Sequence, residues 1–151
     1  MAKSRNNSKA NNDTDRYEQR EKDDSNLKTK ITLGFDFFLG QDTKGIGQTW
    51  EDWHQNGLIV SMLHKLKHLC TLTPGEAKSE GSLKIYGDFP PNSKFKCPQN
   101  LKSIDSWGTI RQMGNGGKTR IAGFYDKNYV FRVVFLDKNE HFLGFTLKYC
   151  L

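Results

Sequence analysis

Residues 119–149, TRIAGFYDKNYVFRVVFLDKNEHFLGFTLKY, constrain this chain more than any other stretch. Three runs, 119–125, 129–136 and 141–149, are dense in β-branched and aromatic residues. The turn-forming clusters Asp126-Lys127-Asn128 and Asp137-Lys138-Asn139-Glu140 separate them. The pattern predicts a three-stranded antiparallel meander. Its middle run is apolar at almost every position, as in a strand buried on both faces, and Arg132 alone breaks it. Either that arginine pairs with a carboxylate such as Asp36, or it belongs to a site.

The preceding segments supply partners for the meander. Residues 30–39 (KITLGFDFFL) place Ile31, Leu33, Phe35 and Phe37 on one face of a predicted strand. Loop 40–47 has three glycines but neither phosphate-loop spacing, so the glycines serve to turn the chain. Thr49 is a candidate N-cap, with Glu51 and Asp52 in the first turn, and Ile59, Met62, Leu63, Leu66, Leu69 and Cys70 recur at helical spacing. One main helix over 49–70 follows, with Gly57 a point where it could divide and residues 71–75 its end. Residues 76–103 read as a long irregular connection with a short strand at 83–86. Strand character returns over 104–113, and glycine-rich 114–117 forms a hairpin connection. The predicted fold is α+β: an antiparallel sheet of about five strands with one main helix packed on a face.

Composition divides the chain. Residues 1–28 hold Tyr17 and Leu27 as their only large apolar side chains besides Met1, too little to offset the entropy of ordering, so a disordered tail precedes a single domain over 29–151. The tail carries seven Lys/Arg against six Asp/Glu; five of the six net positive charges lie in the domain. A pI near 9.2 makes a polyanion a reasonable partner. Three cysteines (Cys70, Cys97, Cys150) without paired spacing, no secretory leader and no membrane-length apolar run predict a cytoplasmic protein with no membrane partner.

Register reasoning assembles a candidate site. If the first turn pairs Tyr125 with Tyr129, Arg120 faces Val134 and Ala122 faces Arg132. If the second pairs Leu136 with His141, then His141 and Tyr149 join the same face, with Arg111 from the preceding strand. Arginines would neutralise charge building on a scissile phosphate, while His141 or Tyr149 moved protons for an attacking 2′-hydroxyl. Separately, Lys84, Lys94, Lys96 and Lys102 interleave with Tyr86, Phe89 and Phe95. That suits a nucleic-acid strand, whose bases could stack on Phe95. It equally suits a loop whose aromatics anchor it to the core while the lysines keep it soluble. His64 and His68 sit four apart, but their neighbours Lys65 and Lys67 favour a solvated basic face over a metal site. Metal-nuclease carboxylate patterns and the G-x-S-x-G elbow are both missing, and no cofactor is expected.

The ending RIAGFYDKNYVFRVVFLDKNEHF, and within it Tyr129-Val130-Phe131-Arg132-Val133-Val134-Phe135, resembles the C-terminal half of bacterial toxins of the RelE/ParE-like superfamily. The resemblance covers residues 104–149. It implies a metal-independent endoribonuclease, acting on free or ribosome-bound RNA and neutralised by an antitoxin. By position, Arg111, Arg120 and Arg132 would bind phosphate, and His141 or Tyr149 would transfer protons. Residues 1–28 and 76–103 are additional to that pattern. The competing expectation is a non-enzymatic interaction module of a bacterial mobile-element or defence system, binding protein or RNA through its sheet edge or tail.

Overall fold

The structure is a computed structural model that describes residues 29–113 and 117–144. The fold is α+β, built on one five-stranded sheet: β1 (Thr32–Gly34), β2 (Leu83–Gly87), β3 (Trp107–Ile110), β4 (Arg120–Tyr125) and β5 (Val130–Asp137), in the order β1-β5-β4-β3-β2. β2 to β5 form an antiparallel meander. β1, however, runs parallel to β5, so the sheet is mixed where an all-antiparallel one was expected. The reason lies in the connection. From β1 the chain crosses one face of the sheet as helices, starts again at the opposite edge, and walks back strand by strand to β1.

β1 is also shorter than the predicted 30–39 strand. Gly34 ends it because the Arg132 side chain lies over this position; a Cβ there would sit 2.9 Å from its guanidinium nitrogen. Beyond it a tight turn forms, with Phe38 N–H donating to Phe35 O at 3.1 Å. The turn sends Phe35 and Phe38 together toward Trp50 and Phe37 the other way, onto Phe124.

The helical region divides into α1 (Trp50–Gln55) and α2 (Ile59–Leu69). Thr49 caps α1 as expected: its hydroxyl accepts from Asp52 N–H at 3.1 Å while Asp52 accepts from Thr49 N–H at 3.0 Å. Gly57, at φ +69°, supplies the left-handed residue between them. A third helix, α3 (Pro74–Ser79), occupies a stretch expected to be a helix end and an irregular loop.

Both faces of the sheet are covered. On the helical side Trp53, Met62, Leu66 and Leu69 pack on Leu83, Ile110, Ile121, Phe131, Val133 and Leu136. On the other, Phe95, Leu101 and Phe142 from the connections pack on Trp107, Ala122, Phe124, Val134 and Phe135. Loop 88–106 is therefore a second layer in its own right. Among the described residues, no helix is long and apolar enough to cross a membrane.

Candidate functional site

The β4–β5 hairpin decides whether the arginine face assembles. Its turn closes one residue further along the chain than expected. Asp126 N–H donates to Val130 O at 3.0 Å, and Tyr129 adopts φ +62° to complete the reversal. Tyr125 then faces Phe131 rather than Tyr129, and Phe124 faces Arg132. A β-bulge follows, because Ala122 pairs with Phe135 and Gly123 with Val133, leaving Val134 as the extra residue. Gly123 is required there, since a Cβ would lie 2.0 Å from Arg132 O. Arg120 ends opposite Asp137, not Val134.

Arg120 and Arg132 therefore share a face but stand at positions 120 and 124 of the β4 ladder, about 13 Å apart along the strand. Each is engaged locally. Arg120, 6% exposed, donates to the Gly117 and Thr119 carbonyls and to Glu140 Oε1 at 3.1 Å. Arg132 donates from Nε to Asp126 Oδ2 and from Nη1 to Asp36 Oδ1, both at 2.8 Å, and its Nη2 lies 2.8 Å from Asp126 Oδ2. Asp126 also accepts from the N–H groups of Asn128 and Val130. Burial alone would push the Asp126 carboxyl up. The Val130 and Asn128 amides and the Arg132 guanidinium outweigh it and hold the carboxyl below its usual range. Asp126 in turn raises the Arg132 guanidinium further, with Asp36 adding to it.

His141 sits beside Glu140, at Arg120's end of the sheet. The expected Leu136–His141 hairpin does not form. Asp137 instead accepts from the N–H groups of His141 and Phe142 at 2.9 and 2.8 Å, and residues 141–144 make a turn. Burial pushes the Asp137 carboxyl up despite these bonds. Tyr149 and the rest of the predicted third strand lie outside the described residues. Arg111, half-buried just past β3, donates its N–H to Ser82 O, and the Ile110–Ile121 register carries it toward Arg120. The structure thus brings Arg111, Arg120 and His141 toward one end and leaves Arg132 at the other.

The lysine–aromatic loop resolves differently for its two residue types. Lys94 and Lys96 are exposed, and Lys84 on β2 holds its ammonium 5.3 Å over its neighbour Tyr86. Phe95 is 4% exposed, 4.6 Å from the Phe135 ring, and cannot stack on a base. Phe89 packs edge-on against Trp107 and Phe142. These aromatics anchor the loop. Packing on the second face of the sheet outcompetes exposure for rings of this size.

Lys65 points inward and not to the solvated face. Its Nζ donates to Ser82 Oγ at 2.6 Å, Ser82 donates to Glu80, and His68 lies 2.8 Å from the same carboxylate oxygen. Burial lowers the Lys65 ammonium pKa. Ser82 has no exposed surface, so the cluster joins α2, α3 and β2 and offers no nucleophile to a substrate.

Among the described residues, two concavities stand out. The first, about 890 Å³ at the β4–β5 hairpin end, includes Phe37, Phe124, Tyr129 and Asn128 and contains the Arg132–Asp126 pair. Its arginine is already neutralised. The second, about 650 Å³, is an apolar groove lined by Phe35, Phe38, Trp50, Ile59, Met62, Leu63 and Leu66. Phe38 stacks on Trp50 with ring centroids 4.3 Å apart, and Phe35 leans on both. Phe35 is 45% exposed and Leu63 56%. Val60 and Leu39 also expose more than half their surface. The sequence pattern predicts Phe35 in a strand and Leu63 in a core stripe, and both are exposed instead. The run FDFFL was a usable signal, because an alternating strand through residues 35–39 would turn Phe38 to the face opposite Phe35 and Phe37, so four large apolar residues in five cannot all reach one core.

No family model, no curated protein and no solved structure matches this chain.

Proposed function

We propose that the protein is a non-enzymatic interaction module that receives a partner protein in the apolar groove between α2 and the turn at residues 35–38. The observation that carries this reading is the groove's aromatic wall, which no described residue covers: Phe35, Phe38 and Trp50 facing Ile59 and Leu63 across an opening of about 650 Å³. Burying a side chain of this size is worth roughly 1.5–3 kcal/mol, and leaving several exposed together forgoes that in the free chain. A docked partner recovers it. The arginine face supports cleavage of RNA less well, because Arg120 and Arg132 are separated and each already holds a carboxylate.

The test places a photo-crosslinking residue at Val60, 65% exposed on the groove's helix, in cells that make the protein. A discrete crosslinked protein is expected, lost when Leu63→Glu is added and not obtained from a crosslinker at Lys94 on the opposite layer. Crosslinks indifferent to Leu63→Glu, or none, overturn the reading. Induced expression in bacteria is expected to leave growth unchanged. Arrest relieved by Arg132→Ala would restore the RNA-cleaving alternative.

A further inference from the structure

We infer that the groove's occupant is an amphipathic α-helix of about three turns with acidic residues flanking its apolar face. The inference rests on the docking reading above and adds the partner's chemistry.

Shape comes first. One wall is α2, whose 11 residues span about 16 Å, and the other is the aromatic trio. A trough of that length receives a helix presenting apolar residues at i, i+3 or i+4, and i+7. A strand added to a sheet edge is the other common mode, but the edge that leads into the groove's aromatic turn is β1, which has only three residues. The approach to it is also taken, since Ile31 N–H donates to Leu72 O at 2.9 Å.

Charge comes second. From residue 53 to residue 75 there is no Asp or Glu, while Lys65, Lys67, His54, His64 and His68 fall in that span. Lys65 turns inward, but Lys67 is exposed one turn beyond Leu63, and Lys30 is exposed just before β1. On the aromatic side, Asp36 is engaged by Arg132. With histidine neutral and His68 set against Glu80, the cation that α2 leaves exposed beside the groove is Lys67, and an acidic residue flanking the partner's apolar face complements it.

Other occupants fit less well. A second copy related by a twofold axis would set this face, Lys67 included, against itself. Residues 1–28 offer only Tyr17 and Leu27 besides Met1. The chain reaches residue 144 on the far side of the sheet, where Gly144 packs against Asn92 and Phe142 lies within the loop layer.

The experiment pans an unbiased display library of 16-residue peptides on the full chain, with the Leu63→Glu protein as depleting bait. Leu63 is exposed, so that variant should keep the wild-type melting temperature. Enriched sequences are expected to carry apolar residues at helical spacing with Asp or Glu beside them. A synthetic copy of the leading peptide should gain helical circular dichroism on binding and lose roughly fivefold in affinity for Lys67→Glu protein. Enrichment of peptides alternating apolar and polar, or with no acidic preference, overturns the helix inference and leaves the docking reading in place. No peptide dependent on Leu63 overturns the inference, and if the Val60 crosslink is also absent the docking reading falls with it. A sedimentation dimer that Leu63→Glu dissociates assigns the groove to a second copy instead.

Discussion

Asp36 and its neighbours Phe35 and Phe38 belong to one short turn, yet they meet opposite fates. Asp36 reaches the sheet end and joins Asp126 on Arg132, so that both carboxylates share one guanidinium. Phe35 and Phe38, from the same few residues, stand with Trp50 beside an open groove. The contrast teaches where unmet chemistry lies in this molecule. The two arginines that drew attention in these strands, Arg120 and Arg132, are answered by carboxylates within the fold. The apolar residues that a core would ordinarily absorb are the ones left facing outward. A site argued from residue type alone would be placed at Arg132; argued from what lacks a partner, it moves to the groove.

The largest expected effect breaks the arginine side at its backbone. Gly123→Val puts a Cβ where Arg132 O already lies 2.0 Å away, so the bulge must open or β4 and β5 must separate. A loss of about 3 kcal/mol or more in urea unfolding is expected, with exposure of the core around Phe131 and Val133. A Gly123→Val protein as stable as wild type would mean that β4 and β5 do not approach at the bulge as described.

Next in size is Arg132→Leu. It leaves Asp126 facing Asp36 without the guanidinium between them, at a position only 24% exposed. A loss of about 1–2 kcal/mol is expected, with Arg132→Lys rescuing little because an ammonium cannot hold both carboxylates in the guanidinium's fork. A neutral Arg132→Leu would show the cluster to be a surface decoration.

Acid should expose the same cluster more gently. The Asp126 carboxyl is held below its unfolded value, near 3.9, so its contribution to stability is present above that pH. It is lost as pH falls below about 4 toward the folded value. Urea midpoints measured from pH 7 to pH 2.5 should fall less steeply for Asp126→Asn than for wild type. Equal slopes would place the acid sensitivity elsewhere, for example at Glu80, whose carboxyl is lowered first by Ser82 and then by His68.

Much of the fold was legible, for identifiable reasons. β4 and β5 announce themselves through β-branched runs and Asp-Lys-Asn turns, and the Thr49 cap and the Gly57 division follow from side-chain chemistry within a few residues. α3 was legible too, through Thr73 as cap, Pro74 at the first helical position and Glu76 completing the capping box, but the same Thr-Pro-Gly also reads as a helix end. The parallel placement of β1 and the bulge at Val134 left no periodic trace. A strand's direction depends on where distant connections return it. An extra valine in an apolar run looks like its neighbours. The candidate site was less legible because it depended on register, and register turned first on where the Asp126–Val130 turn closes and then on that bulge.

The smallest expected change in stability is the sharpest test of the comparison. Leu63→Gln removes an apolar side chain that is already 56% exposed, so the free protein should unfold within about 0.5 kcal/mol of wild type. If the groove is a docking surface, the same substitution should abolish binding of the partner, because in the complex Leu63 is covered and a glutamine amide there would be desolvated without a bonding partner. Paired measurement of the melting temperature and of the Val60 crosslink separates the two roles. Stability unchanged with the crosslink lost makes Leu63 a contact. Stability lost by 2 kcal/mol or more, on the order of a buried leucine's truncation, would make it a core residue and close the groove as an argument.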